Sequence, residues 1–253
     1  MTDPKSLNQW IYIAGLPKSG TTWLKQLLER IPGYQFVEPP DPTGVRENHD
    51  ISSEMFASLP REVPLVMKMH TSPAKQNLAV IRHYGLRTIV MYRDLRDQCI
   101  SNYYHVLADG GHRHHRLYHS IPAELGITHR IAITLDAYMP WIRGWINVLR
   151  QFPDDFMEVR YEALKTDPEG VLERISSFYH LNLSTEFCRS IVQEVQSRTR
   201  FDLKYNLERG TGTARKGKVG DWRAHFNSDH VKLFKAGCGD LLIELGYEKD
   251  LNW

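Results

Sequence analysis

The residues best suited to chemistry lie in one short run, Pro17-Lys-Ser-Gly-Thr-Thr-Trp23, which follows an apolar stretch beginning at Ile11. A turn between a strand and a helix directs several backbone N–H groups and the helix N-terminus at one point, which makes a phosphate site. A triphosphate-binding P-loop has its lysine directly after the second glycine. Here Thr21 holds that position, and Lys18 lies two residues before Gly20. The run therefore predicts a phosphate-binding loop with a displaced lysine.

His70 is the candidate proton acceptor. It ends a short apolar segment, Pro64-Leu-Val-Met-Lys-Met-His70, that also contains Lys68. An imidazole with an unperturbed pKa of about 6.5 can take a proton from a hydroxyl group near neutral pH. The alternative is a structural histidine whose hydrogen bonds are satisfied within the fold.

Two further segments offer groups for a second phosphate. Arg93 follows a buried strand and Ser101 lies on the next helix, and a guanidinium with a hydroxyl suits a phosphate monoester. The alternative is a surface ion network of Arg93 with Asp94 and Asp97. Farther along, Arg215-Lys216-Gly217 supplies two cations and an unobstructed backbone N–H, although such loops are usually only solvated.

The elements that position these residues alternate between strands and helices. Short strands are predicted near 11–15, 64–70, 87–92 and 155–161. Helices are predicted over 21–31, 74–84, 97–106, 131–150, 168–179, 183–197 and 229–245. Such alternation predicts an α/β fold, with a central parallel sheet flanked by helices in a single domain over residues 1–253. Ligands of these folds gather beyond the carboxyl ends of the strands, where the basic groups lie. Residues 34–62 are predicted as a loop with short helical pieces, and residues 202–220 as a basic, glycine-rich loop.

Composition narrows the class of protein. The formal net charge of +2 is too small to indicate nucleic-acid binding, and three scattered cysteines fit no disulfide framework or zinc spacing. The N-terminal residues lack a secretion signal, and no apolar segment approaches the length of a membrane span. We expect a cytoplasmic protein without stable membrane insertion.

A histidine-rich stretch, residues 107–130, carries His112, His114, His115 and His119. A metal site is one possibility, but no acidic or cysteine partner lies at ligand spacing. We interpret the stretch as a mobile polar surface loop. Trp141 and Trp145, one helical turn apart, are predicted to pack in the core.

The motifs together resemble those of the cytosolic-type sulfotransferase family, which uses 3′-phosphoadenosine 5′-phosphosulfate (PAPS). Residues 17–23 look like that family's 5′-phosphosulfate loop, and Tyr92 through Ser101 is similar to its 3′-phosphate segment. Residues 215–222 look like its late basic loop, and Lys68-Met-His70 like its Lys-x-His element. The similarity extends from residue 11 to about 226. It implies a P-loop-like sulfotransferase fold.

The resemblance also implies a role for each matched residue. Lys18 and Lys68 would stabilise charge on the sulfuryl group and the departing phosphate, and His70 would be the general base. The residues implied to bind PAPS, or the product adenosine 3′,5′-bisphosphate (PAP), are Lys18, Ser19, Gly20, Thr21, Thr22, Trp23, Arg93, Ser101, Tyr161, Thr199, Phe201, Arg215, Lys216 and Gly217. No metal is expected, because a sulfuryl group carries less charge than a triphosphate.

Departures from the family pattern concern the acceptor side. The chain is shorter than typical animal members, and this compact form indicates a bacterial-type member. Thr-Ser-Pro follows His70 in place of the common Leu-Pro, and Asp94-Leu95-Arg96 varies the usual segment, so these changes bear on the acceptor more than on the donor. The expected acceptor is a hydroxyl of a small molecule, natural product or glycan, and a homo-oligomer is possible. Two alternatives stay open: a P-loop kinase that uses ATP and Mg²⁺ held by Asp94, and a non-catalytic nucleotide-binding module.

Overall fold

The computed structural model describes residues 9–39, 50–209 and 217–253, with the backbone alone described for residues 198–209. The chain divides into two compact units. Unit 1 comprises Met1–Tyr92 with Gly144–Arg198, and unit 2 comprises Arg93–Arg143 with Thr199–Trp253. The single domain over residues 1–253 therefore stays a prediction.

Unit 1 contains a five-stranded, all-parallel sheet in the order β2-β3-β1-β4-β5. The strands are β1 Trp10–Gly15, β2 Gln35–Phe36, β3 Leu65–Met69, β4 Thr88–Tyr92 and β5 Phe156–Arg160. The predicted α/β fold with a central parallel sheet is confirmed. The two-residue β2 was not predicted, since so short a strand carries no alternation of apolar residues.

One face of the sheet is covered by helices α1 Thr21–Leu28, α8 Tyr161–Thr166, α9 Pro168–Tyr179 and α10 Thr185–Arg209. Side chains alternate between the faces of a strand, and this face presents residues such as Ile11, Ile13 and Val66. They pack with Leu24 of α1 and Ile175 of α9 in one buried cluster. The cluster fixes the strand-to-helix turn after β1 against a rigid base.

The opposite face is covered with aromatic side chains. Phe56 of α2 Ser53–Ala57 packs against Trp10 and Tyr12 of β1, with ring centroids 6.5 and 5.9 Å away. Trp145 of α7 Met139–Gln151 lies 5.7 Å from the ring of Phe156. Both predicted core tryptophans, Trp141 and Trp145, are buried. Unit 1 also contains α3 Lys75–His83.

Unit 2 is helical in its described part. It contains α4 Leu95–Ala108, α5 His115–Ser120, α6 Ala123–Ile133, a 3₁₀ turn Asp221–Ala224 and α11 Ser228–Glu244. At its centre the Arg96 guanidinium lies 4.1 Å from the Trp222 ring and 4.4 Å from the Trp253 ring. Two carboxylates neutralise that buried guanidinium: Asp94 Oδ2 lies 2.7 Å from Nη2, and Glu248 Oε1 lies 2.5 Å from Nη1.

The predicted helix over 131–150 is interrupted by a π-helical turn, Thr134–Tyr138, between α6 and α7. The predicted loop over 202–220 begins later than expected, because α10 continues to Arg209. Residues 201–209 contain neither glycine nor proline, so nothing in the sequence stops the helix before Gly210. The described part of the chain has no helix with the length and apolar character that a membrane crossing needs.

The prediction of a mobile loop at the histidine-rich stretch is wrong, since α5 and the start of α6 occupy it. His115 Nδ1 donates to the Val106 carbonyl at 3.1 Å, and His119 Nε2 donates to the Leu107 carbonyl at 3.0 Å. The last carbonyls of a helix lack partners within it, and these histidines satisfy two at the end of α4. Among described residues, no group of three or more histidine, cysteine or acidic side chains could hold a metal ion.

Candidate functional site

The predicted phosphate loop in unit 1 has the backbone that anion binding needs. Lys18 adopts a left-handed conformation with φ 66°, and Gly20, with φ 85°, precedes the first residue of α1. Left-handed backbone at a residue other than glycine is costly and clusters at ligand sites. The loop is tied to the sheet by Leu16, whose N–H donates to the Met91 carbonyl at 2.8 Å. A rigid strand therefore carries a strained turn.

The N-terminus of α1 lacks a side-chain cap, because Gly20 is its N-cap residue. The first N–H groups of a helix need acceptors from outside the helix and favour an anion there. Ser19 is fully buried, and its Oγ has no hydrogen-bond partner among the described residues. A buried hydroxyl without a partner is unfavourable, so both features favour a bound oxyanion.

Tyr161, the first residue of α8, packs directly against this loop. A methyl group at Gly20 would lie 2.6 Å from Cδ2 of the Tyr161 ring and 3.3 Å from the Met91 methyl group. Only glycine combines the φ of 85° with that approach. The structure thus brings the predicted residues Gly20 and Tyr161 together. Trp23, also predicted, is partly buried, with Lys165 Nζ 5.8 Å from its ring centroid.

His70 also contacts the loop. Its Nδ1 lies 2.5 Å from the carbonyl oxygen of Gly15, the last residue of β1. A carbonyl oxygen can only accept, so Nδ1 carries a proton and donates, and in the neutral ring Nε2 is the acceptor nitrogen. A proton acceptor is therefore held in one tautomer by the residue from which the phosphate loop starts. Sequence carried no signal for this bond, because any residue supplies a carbonyl.

Lys68 lies on β3, where it pairs in register with Ile13 of β1. Burial lowers the pKa of its ammonium group, and Lys25 lowers it further, whereas Glu38 opposes the shift. Partly withdrawn from water, the ammonium group interacts more strongly with an anion than a surface lysine does.

Thr71 is a residue that the sequence did not identify. Its hydroxyl is hydrogen-bonded to the hydroxyl of Tyr12, and its carbonyl accepts from Trp145 Nε1 at 3.1 Å. Thr71 is fully buried. The segment that follows His70 is thus fixed to β1 and α7.

In unit 2 the predicted anion ligand Arg93 is buried and bonded through Nη2 to Asp97 Oδ2 at 3.1 Å. Asp94 and Asp97 are buried as well. The alternative of an ion network on the surface is therefore wrong, because these charged groups lie in the interior. Ser101 lies on α4 and is partly buried. Gly217 has φ 56°.

The other predicted residues are less fully described. Thr22 is exposed at the start of α1, and Thr21 is buried beside Gly15. Thr199 and Phe201 lie on α10, but their side chains are outside the described part, and Arg215 and Lys216 lie outside it entirely.

Comparison with known proteins gives the class. A family model described as "Sulfotransferase domain" matches residues 9–246, so the chain belongs to the sulfotransferase family. The predicted family and enzyme class are thereby confirmed. Sulfotransferase 1C2 of Rattus norvegicus is 24% identical in an alignment that covers 90% of this chain and 83% of that protein. Sulfotransferase 2B1 of Mus musculus is 25% identical in an alignment that covers 88% of this chain and 68% of that protein.

Solved structures agree on the fold. Mouse sulfotransferase SULT7A1 complexed with PAP superposes with a TM-score of 0.70 at 18% identity, covering 96% of this chain and 92% of that one. Retinol dehydratase in complex with androsterone and inactive cofactor PAP gives a TM-score of 0.66 at 17% identity, and the match covers 93% of this chain and 81% of that one.

Proposed function

We propose that this sulfotransferase moves the sulfuryl group from PAPS to a hydroxyl of a small-molecule, natural-product or glycan acceptor. The observation that carries the proposal is the bond from His70 Nδ1 to the Gly15 carbonyl. It joins a proton acceptor of defined tautomer to the start of an uncapped phosphate loop. A binding module needs the loop but not the oriented histidine.

His70 acts as the general base in this proposal. Its Nε2 takes the proton of the acceptor hydroxyl while that oxygen forms a bond to sulfur. The bond from sulfur to the bridging phosphate oxygen breaks, and its electron pair leaves with the phosphate. Base assistance of this kind typically contributes about 10²–10⁴-fold, and in-line positioning contributes further.

Lys18 and Lys68 stabilise the negative charge that develops on the transferring group and on the bridging oxygen. Charge stabilisation at the leaving oxygen is usually the largest single contribution to such a transfer. A lysine at position 18 reaches the bridging position of a phosphosulfate, whereas one directly after Gly20 would follow a triphosphate. The displaced lysine thus fits the proposed donor.

The loop Ser19–Thr22 binds the 5′-phosphate, and Arg93 and Ser101 bind the 3′-phosphate with the segment Arg215–Gly217. Trp23, Tyr161, Thr199 and Phe201 contact the adenine. Support comes from the PAP bound in the two matched structures, since PAP is what PAPS becomes after transfer.

The kinase alternative needs a carboxylate for Mg²⁺ after the strand that ends at Tyr92. Asp94 caps α4 and accepts from the Arg96 backbone N–H at 2.9 Å and from Nη2 at 2.7 Å. These bonds commit that carboxylate to Arg96, which favours the metal-independent reaction.

The test is a screen of hydroxyl-bearing acceptors with sulfur-labelled PAPS, with and without EDTA. We expect labelled product and PAP in both conditions. Labelled product that forms only without EDTA would show a metal-dependent sulfuryl transfer, and no labelled product in either condition would favour the kinase or the binding module.

The His70→Ala variant tests the catalytic role separately. We expect its turnover to fall about 10²–10⁴-fold while it still binds PAP. Near-normal turnover on the true acceptor would overturn the assignment of the base, and no turnover in the wild type with any acceptor would favour a non-catalytic module.

A further inference from the structure

We propose that Asp97 is the positioning residue of the 3′-phosphate site, holding Arg93 and the end of the late basic loop in place. The inference rests on the proposed function, because it concerns recognition of the 3′-phosphate of PAPS. Asp97 would touch neither donor nor acceptor and would act through its neighbours.

The contacts of Asp97 use both carboxylate oxygens. Oδ2 accepts from Arg93 Nη2 at 3.1 Å and from the Gly220 backbone N–H at 2.7 Å. Oδ1 accepts from the Trp222 backbone N–H at 2.9 Å. One side chain on α4 therefore connects the predicted anion ligand to the turn that follows the basic loop.

Burial makes these hydrogen bonds of Asp97 strong. The Asp97 side chain is fully buried and that of Arg93 is 7% exposed. A buried carboxylate is stable only when it is paired and hydrogen-bonded, and hydrogen bonds to charged groups are stronger than neutral ones. Asp97 also lies in the first turn of α4, where a negative charge is favoured.

The position of Asp97 matches the proposed ligands. Asp97 and Ser101 are four residues apart on α4 and so share a helix face. Arg93 Nη2 additionally reaches the Lys218 carbonyl at 3.4 Å, next to Gly217.

The sign of the effect separates positioning from simple electrostatics. A carboxylate that merely lies near an anion site repels the anion, so neutralising it should tighten binding. A carboxylate that orients the ligands does the opposite, since its removal lets Arg93 and the Gly220 turn move. The Asp97→Asn substitution therefore has opposite expected outcomes under the two accounts.

The experiment measures binding of PAP and of adenosine 5′-phosphate by calorimetry to the wild type, Asp97→Asn and Arg93→Ala. We expect Asp97→Asn to weaken PAP roughly 10- to 100-fold, as the loss of charge-assisted hydrogen bonds implies. Binding of adenosine 5′-phosphate should stay unchanged. The matched control is Asp229→Asn, which removes the same charge from a side chain of unit 2 that is 74% exposed. It should change neither ligand.

Unchanged or tighter PAP binding by folded Asp97→Asn overturns the inference. If that variant does not fold, Asp97→Glu keeps the charge and displaces the carboxylate, and unchanged PAP binding by it overturns the inference equally. Failure of the proposed function looks different. In that case the wild type itself does not distinguish PAP from adenosine 5′-phosphate, or Arg93→Ala weakens both alike.

Discussion

At the residue scale, the lowered pKa of Lys68 limits the pH range in which that side chain can stabilise negative charge. Burial first, and then Lys25, shifts the pKa below the usual lysine value, with Glu38 opposing. The ammonium group is charged below that pKa and loses its charge as the pH rises through it. The proposed reaction should therefore weaken at a lower alkaline pH than an exposed lysine would allow.

The Lys68→Arg variant tests this account. Arginine stays protonated throughout the accessible pH range, so we expect the alkaline decline of kcat/KM to move to higher pH, even if the maximum falls. The measurement is a pH–rate profile of both enzymes with one acceptor. Identical alkaline declines would show that Lys68 does not set the limit.

Gly20 offers a second test, with a control in the same unit. Gly20→Ala should abolish or severely weaken PAP binding. The new methyl group would lie only 2.6 Å from Cδ2 of Tyr161 and would therefore displace that ring. Gly33 has the same φ of 85°, yet a methyl group there would meet only Pro64 Cγ, at 3.8 Å. Gly33→Ala thus carries the backbone strain without the clash, and it should lower the melting temperature but retain PAP binding. Equal PAP binding by the two variants would contradict the account.

At the element scale, the segment after β3 is held by hydrogen bonds from β1 and α7. Tyr12 and Trp145 both bond to Thr71. Burial raises the pKa of the Tyr12 hydroxyl, so it remains protonated and able to donate. The strand order places β1 next to β3, and these bonds extend that pairing beyond the end of the strand to His70.

Thr71→Val should destabilise the protein by about 1–3 kcal/mol, because it removes the partner of a buried hydroxyl. Tyr12→Phe combined with Thr71→Val should be less destabilised than Thr71→Val alone, since replacing both polar partners with apolar groups costs less than orphaning one. Urea unfolding of the single and double variants measures both values. Strictly additive losses would show that the two hydroxyls do not interact.

Sequence patterns predicted the elements that carry the site but not all of their bonds. Apolar runs located four of the five strands, and the Pro168 and Gly20 positions located two helix starts. The histidine-rich stretch was misinterpreted because histidine suits both solvent and carbonyl partners. The bonds of His70 to Gly15 and of Asp97 to Gly220 involve main-chain groups, which every residue has, so their partners depend on tertiary structure.

At the scale of the whole molecule, the sequence predicts a single domain, whereas the structure divides into two compact units. If the chain is one cooperative domain, calorimetry should show one transition whose van't Hoff and calorimetric enthalpies agree. Two resolved transitions would show that the units unfold separately.

PAP at 100 times its dissociation constant should stabilise the folded protein by about 2.7 kcal/mol.

The central claim is that the loop after β1 serves PAPS rather than a triphosphate. The most direct measurement is calorimetric titration of the wild type with PAP in EDTA and with ATP in the presence of Mg²⁺. The account predicts that PAP binds more tightly, without metal, and that it displaces any bound ATP. Tighter binding of ATP with Mg²⁺, or PAP binding that requires the metal, would contradict it.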